Sequence, residues 1–114
     1  MVTRRSEMTV EQRERMRGGA GVVRITNLVD PAKLPHARLL AELLLPPGAS
    51  IGAHAHQAET EYFVILEGRG VVYDDGVDTE VGAGDVVATG GGAAHAIRNT
   101  GPGPLRLIAL ILSH

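Results

Sequence analysis

Three of the five histidines fall where turn residues meet strand-like runs: His54, His56 and His95. His54 and His56 are two residues apart. On an extended strand such residues share a face, with Cα atoms about 6.6 Å apart, so two imidazoles can converge on one ion. An isolated His-x-His equally suits a solvated or hydrogen-bonded pair. Glu61 opens the next apolar run, and alternation puts it on the face of Phe63 and Ile65. A hairpin-like connection over Gln57 to Thr60 is expected to return Glu61 beside the histidine pair. His95 is distant in sequence, and only a closed barrel is expected to bring it in. His36, next to Pro35, and His114, the last residue, are expected to be exposed and without a role.

The elements around these residues read as strands. From Gly21 onward, short β-type runs alternate with Gly, Pro and Asp turns: 22–29, 38–45, 61–66, 70–73, 77–81, 86–89, 95–99 and 105–112. Asp74-Asp75-Gly76 is a hairpin signal. Many short strands with Gly and Pro at the turns indicate an all-β sandwich or barrel. Residues 1–21 differ and are predicted to be an N-terminal arm, with 22–114 the β-barrel domain. Within the arm, Thr9 and Gln12 have capping-box spacing and Glu11 and Arg15 stand at i,i+4, so 9–17 is expected as two helical turns or a frayed arm.

Composition narrows the function classes. The chain has 114 residues, 44% apolar and 21% charged, as folded domains do. A formal charge of −2 gives no electrostatic reason to bind nucleic acid or an anionic membrane. Tyr62, Phe63 and Tyr73 are the only aromatic residues, too few for a base-stacking platform. With no cysteine, disulfides, thiolate metal sites and a cysteine nucleophile are excluded. The N-terminal residues contain no apolar stretch of signal-peptide length, so a cytoplasmic location is expected.

The spacing around the histidines carries a family resemblance. From Gly48 to Gly68 the chain reads GASIGAHAHQAETEYFVILEG. This resembles the first cupin motif: a glycine, five residues, His-x-His, a few residues, Glu, six residues and Gly. Gly48, His54, His56, Glu61 and Gly68 match it. From Gly84 to Asn99 it reads GDVVATGGGAAHAIRN, which is similar to the second cupin motif at Gly84, Gly92, His95 and Asn99. Gly90 stands where that motif has proline, so the run Gly90 to Gly92 is expected to be more mobile than the usual turn. The motifs and the strand between them cover about half the chain.

The resemblance implies an antiparallel jelly-roll β-barrel. It implies that His54, His56, Glu61 and His95 hold one divalent transition metal, a set of imidazoles and carboxylate that suits Mn, Fe, Co, Ni, Cu or Zn. Glu59 shares the parity of Glu61 and is an alternative ligand. Gln57 is a candidate hydrogen-bond partner behind a ligand, or a plain turn residue. Asn99 is expected to hydrogen-bond the barrel wall, and Arg98 to be a solvated surface residue.

Four protein ligands leave an octahedral ion two positions for water or for a small molecule with a carboxylate beside a hydroxyl or carbonyl. Cupins include dioxygenases, decarboxylases and isomerases as well as binding proteins, and fold does not decide among them. A metal-dependent enzyme on a small oxygenated metabolite, a module that binds or senses one without turnover, and a barrel with merely structural histidines are all compatible. For an enzyme, Glu59 and Tyr73 are the only acid or base candidates, and no residue is assigned as catalytic. Finally, the run 105–112 is apolar on both parities from Leu107 onward, and 38–45 is similar, with Leu39, Leu43 and Leu45 on one parity and Leu40 and Leu44 on the other. A half-exposed strand should alternate, so a second copy of the chain, a homodimer, is expected to cover the outer side.

Overall fold

In the computed structural model, which describes residues 1–114, the runs punctuated by Gly and Pro become ten strands. They are β1 (Thr9–Glu14), β2 (Val22–Asn27), β3 (Ala37–Leu45), β4 (Ser50–Ala55), β5 (Glu59–Glu67), β6 (Arg69–Asp74), β7 (Val77–Gly82), β8 (Val86–Gly90), β9 (Ala94–Asn99) and β10 (Leu105–Ser113). All pairings are antiparallel. A six-stranded sheet has the order β1-β2-β3-β10-β5-β8, and a four-stranded sheet the order β4-β9-β6-β7. The result is an all-β jelly roll, as expected, but its two sheets are not closed by hydrogen bonds into one continuous barrel.

Alternation builds the core. Along β10, Leu105, Leu107, Ala109 and Ile111 are buried, and the residues between them face the other way. They meet Val23 and Ile25 of β2, Ala41, Leu43 and Leu45 of β3, and Phe63 and Ile65 of β5 in one apolar cluster with Ile51, Val72 and Ile97 of the four-stranded sheet, against which Ile111 is also turned inward. Truncating a fully buried leucine such as Leu107 removes contacts worth about 2–5 kcal/mol.

Three expectations are corrected. Thr9–Glu14 is neither helix nor frayed arm; it pairs with β2 over six residues, from Thr9↔Asn27 to Glu14↔Val22. A two-turn helix is marginal in isolation, and the free edge of β2 offers its backbone a complete ladder instead. Ser50–Ala55, SIGAHA, is a strand that periodicity hides, because small residues dilute its apolar signal. The segment after it makes no hairpin. β4 and β5 lie in different sheets, and the chain crosses between them at His56 to Ala58, with Ala58 at φ 54°.

Two turns follow their residue types. Asp75 and Gly76, at φ 47° and 96°, close the β6–β7 hairpin as two left-handed residues. Asn99 is structural, as expected. Its Nδ2 donates to the carbonyls of Leu45 (2.9 Å) and Gly103 (2.8 Å), and its Oδ1 accepts from the Gly101 N–H (2.9 Å), fastening the β9–β10 loop to the wall.

Candidate metal centre

The site lies between the sheets. His54 and His95 face each other directly on the β4–β9 ladder. They share a side because β4 carries a bulge: Ile51 pairs with Ile97 and His54 with His95, three steps along one strand against two along the other. The extra residue re-aims His54 inward, beside Ile51. His56 follows at the crossing and is buried. Glu61 comes from the opposite sheet, on the inward face of β5 with Phe63 and Ile65.

Four ligand-type atoms converge there, all within 4.8 Å of one another. His95 Nε2 lies 3.1 Å from His54 Nε2 and 3.1 Å from His56 Nε2. Glu61 Oε1 lies 2.9 Å from His56 Nε2, 2.9 Å from His95 Nε2 and 3.7 Å from His54 Nε2. Neighbouring ligands about 2.1 Å from an octahedral ion stand about 3.0 Å apart, so these separations suit one transition metal. His95 is fully buried, and its ring stacks on Phe63 at 5.1 Å and 7°.

The hydrogen bonds behind the rings assign their tautomers. His54 Nδ1 donates to the Gly52 carbonyl (2.8 Å), and His56 Nδ1 to Glu59 Oε1 (3.2 Å). Each bond leaves a lone pair on Nε2, facing inward. Two such lone pairs and a carboxylate oxygen crowded together repel unless a cation lies among them. The residues therefore fit a divalent metal. Burial pushes the Glu61 carboxyl up, but where the facing ring nitrogens carry protons instead of an ion, the hydrogen bonds of His54 and His95 and the charges of His95 and His56 outweigh it and hold it at about 2. The carboxylate stays ionised, as a metal ligand must.

Glu59 is not among the converging atoms. It stands behind His56 and is gripped from the other side by Arg38, whose Nη2 donates to Oε1 (3.1 Å) and whose Nε donates to Oε2. The Arg38 hydrogen bond, the largest cause, outweighs desolvation and, with the smaller help of the His56 hydrogen bond, holds the Glu59 carboxyl at about 2. The same contact raises Arg38 above its ordinary value. Gln57 is exposed; its side chain lies near Gly92 and bonds none of the four. Tyr73 does not reach the site. It lines a groove on the outer side of the four-stranded sheet with Ser50, Ala96 and Arg98. His36, His114 and Arg98 are exposed, as expected. Gly90 belongs to the β8 ladder opposite Thr60, where an added Cβ would fall 2.7 Å from Thr60 Oγ1; only Gly91 and Gly92 take positive φ.

A cavity of about 90 Å³ opens onto His54, His56 and Glu61. Its wall includes Glu11, Arg13, Met16, Arg17 and Arg38, none of which sequence reasoning picked out for the site. Arg13 shows why. It faces inward because it pairs with the fully buried Val23, a fact of β1–β2 register that a supposed helix conceals.

Residues 41–111 match the family model described as Cupin domain. A protein of Thermotoga maritima named "Oxalate-binding protein" is 44% identical over 113 residues, covering 98% of this chain and 93% of the relative. A crystal structure from Thermotoga maritima, described as a predicted oxalate decarboxylase, superposes with a TM-score of 0.94 at 44% identity, with both chains fully covered. A polyketide cyclase from Streptomyces resistomycificus superposes with a TM-score of 0.77 over 99% of this chain and 78% of the cyclase; at 18% identity it shares the fold alone.

Proposed function

Since the chain belongs to the cupin domain family, we propose that it binds one divalent transition-metal ion on His54, His56, Glu61 and His95 and uses that centre to bind a small dicarboxylate of the oxalate class. The convergence of three imidazole nitrogens and one ionised carboxylate oxygen carries this reading. The Thermotoga protein named for oxalate binding supports the ligand class, because its similarity runs the length of both chains. When bound, the ion supplies positive charge, Lewis acidity and coordination positions that the protein leaves open.

The chain's own residues do the rest. Gly52 and Glu59 orient two imidazoles from behind, and Phe63 fixes the plane of a third. The cavity suits a ligand of few atoms. Of the three arginines in its wall, Arg13 and Arg38 are paired with Glu11 and Glu59, and the charge of Arg17 favours an anion. Binding without turnover is favoured over catalysis by the state of the two acid or base candidates: Glu59 is held between Arg38 and His56, and Tyr73 lies on the outer surface.

The test is calorimetric titration of oxalate into Mn²⁺-loaded and metal-free protein, with an assay for formate and CO₂ on the same samples. Saturable binding only to the loaded form, without product, is expected. Equal binding to both forms would remove the metal from the reading. Product formation would make the protein a decarboxylase.

A further inference from the structure

The segment joining β1 to β2 is a strap laid on β4, the strand that presents His54. The Ser50 N–H donates to the Ala20 carbonyl (2.9 Å), and the Ala20 N–H donates to Ser50 Oγ (2.8 Å). Its contact with β4 is backbone on backbone. A Cβ added at Gly52 would fall 2.0 Å from the Arg17 carbonyl oxygen, and one at Gly19 would fall 2.2 Å from that of Ser50. Arg15 and Arg17 take left-handed conformations, at φ 49° and 54°, which arginine rarely adopts. The fold spends strain to hold this turn in place, and strain of this kind concentrates at ligand clamps.

Of the three arginines in the cavity wall, two are already neutralised. Arg13 bonds Glu11 at 2.8 Å, and Arg38 is held by Glu59. Arg17 has no carboxylate partner anywhere in the molecule, yet it lines the same cavity as His54, His56 and Glu61. We infer that Arg17 is the specificity-determining residue of this pocket, its guanidinium pairing with the carboxylate oxygens that a metal-chelating dicarboxylate leaves uncoordinated.

The inference rests on the reading of a metal-bound dicarboxylate, and charge balance carries it further. A divalent ion and the Glu61 carboxylate leave one positive charge at the centre. A dianion converts that to one negative charge in a partly enclosed site, which needs a cation nearby. Arg17 is the unpaired one. A monoanionic hydroxy acid already balances the centre alone and gains nothing from a further positive charge. The pocket should therefore prefer oxalate to glycolate, and Arg17 should supply the preference. A planar guanidinium also meets two oxygens at once, which an ammonium cannot.

Calorimetric titration of the Mn²⁺-loaded protein with oxalate and with glycolate tests this, with Mn²⁺ affinity measured separately by chelator competition. Arg17→Gly removes the side chain and suits the left-handed backbone, so folding is not at stake. It should weaken oxalate about tenfold or more and leave glycolate and Mn²⁺ within about twofold, the loss of a charged hydrogen-bond partner. Arg17→Lys should recover part of the loss. Unchanged oxalate affinity in Arg17→Gly overturns the assignment while leaving the proposed function standing. So does an equal fall for oxalate, glycolate and Mn²⁺, since that marks a structural role. A wild-type protein that holds Mn²⁺ and binds neither anion overturns the proposed function, and this assignment with it.

Discussion

The two sheets treat their outer faces differently. The six-stranded sheet is apolar on both sides through its middle. Leu110 on β10 stands between Leu40 and Tyr62, Ile108 has Val64 beside it, and Val64 faces Val86, all directed away from the core. Val64 and Val86 are 37% and 61% exposed. The outer face of the four-stranded sheet carries Arg98, Asp78 and Glu80, all exposed. A sheet with one wet face alternates, and the four-stranded sheet does so. The sheets also contribute differently to the centre: the four-stranded one supplies His54 and His95, the six-stranded one Glu61. An ion there would tie the sheets together, while the apolar back of one sheet is left partly exposed.

The largest expected effect is on the imidazole wall. His54→Ala with His95→Ala should lower metal affinity by about a hundredfold or more, because water replaces neither imidazole at equal affinity. Chelator competition reads it directly. If the ion ties the sheets, metal should also raise the melting temperature of the wild type, with about 2.7 kcal/mol of stabilisation at a hundredfold excess over Kd, and do little for the double variant. Full metal retention in that variant would sink the assignment of the centre.

The carboxylate wall comes next. Glu61→Gln removes the only carboxylate among the four converging residues and should cost more metal affinity than Glu59→Gln. The latter acts only through His56 and should cost about tenfold. Competitive titration that ranks Glu59→Gln as the worse variant would place the wrong carboxylate at the ion.

That these four residues converge was legible because their spacing belongs to a motif that short turns maintain: His54 and His56 two residues apart, Glu61 just past a crossing. The route by which they meet was not legible. A one-residue bulge turns His54 inward, and His95 arrives by direct pairing with it, not by closure of a barrel. Both are facts of register, which depends on partners far along the chain. The N-terminal strand was misread for the same reason. Its polar residues satisfy a local helix pattern, while the free edge of β2 decides the outcome. With β1 taken as helix, Arg13 and Arg17 had no reason to approach the site.

The apolar outer face of the six-stranded sheet should produce a homodimer. The N-terminal residues cover part of it, since Arg5 Nη2 reaches Glu42 Oε1 at 3.1 Å on β3, but Val64 and Val86 stay open. A stable interface takes about 800 Å² from each partner, an area a sheet face of this size can supply. Sedimentation equilibrium at micromolar concentration should give the dimer mass. Leu110→Arg should return the monomer, and Thr79→Arg, on the exposed β7 of the other sheet, should leave the dimer intact. A wild-type monomer mass at every concentration would mean that the arm suffices as cover.

The smallest effect compares one ion pair from each sheet. Asp78 and Arg98 meet at 3.5 Å with side chains 55% and 50% exposed. Water screens such a pair, and holding two long side chains together costs entropy, so its coupling should be below about 0.5 kcal/mol. Glu42 on the six-stranded sheet is only 10% exposed and lies between Arg5 at 3.1 Å and Arg106 at 3.6 Å. With less water around the carboxylate, removal of one arginine leaves charge that the solvent compensates poorly. Arg106→Ala should therefore destabilise by about 1 kcal/mol or more. Urea denaturation of Arg98→Ala and Arg106→Ala at one protein concentration reads both. Equal losses would mean that the outer face of the six-stranded sheet is as wet as that of the four-stranded sheet, and the contrast between them would fail at the point where it is easiest to measure.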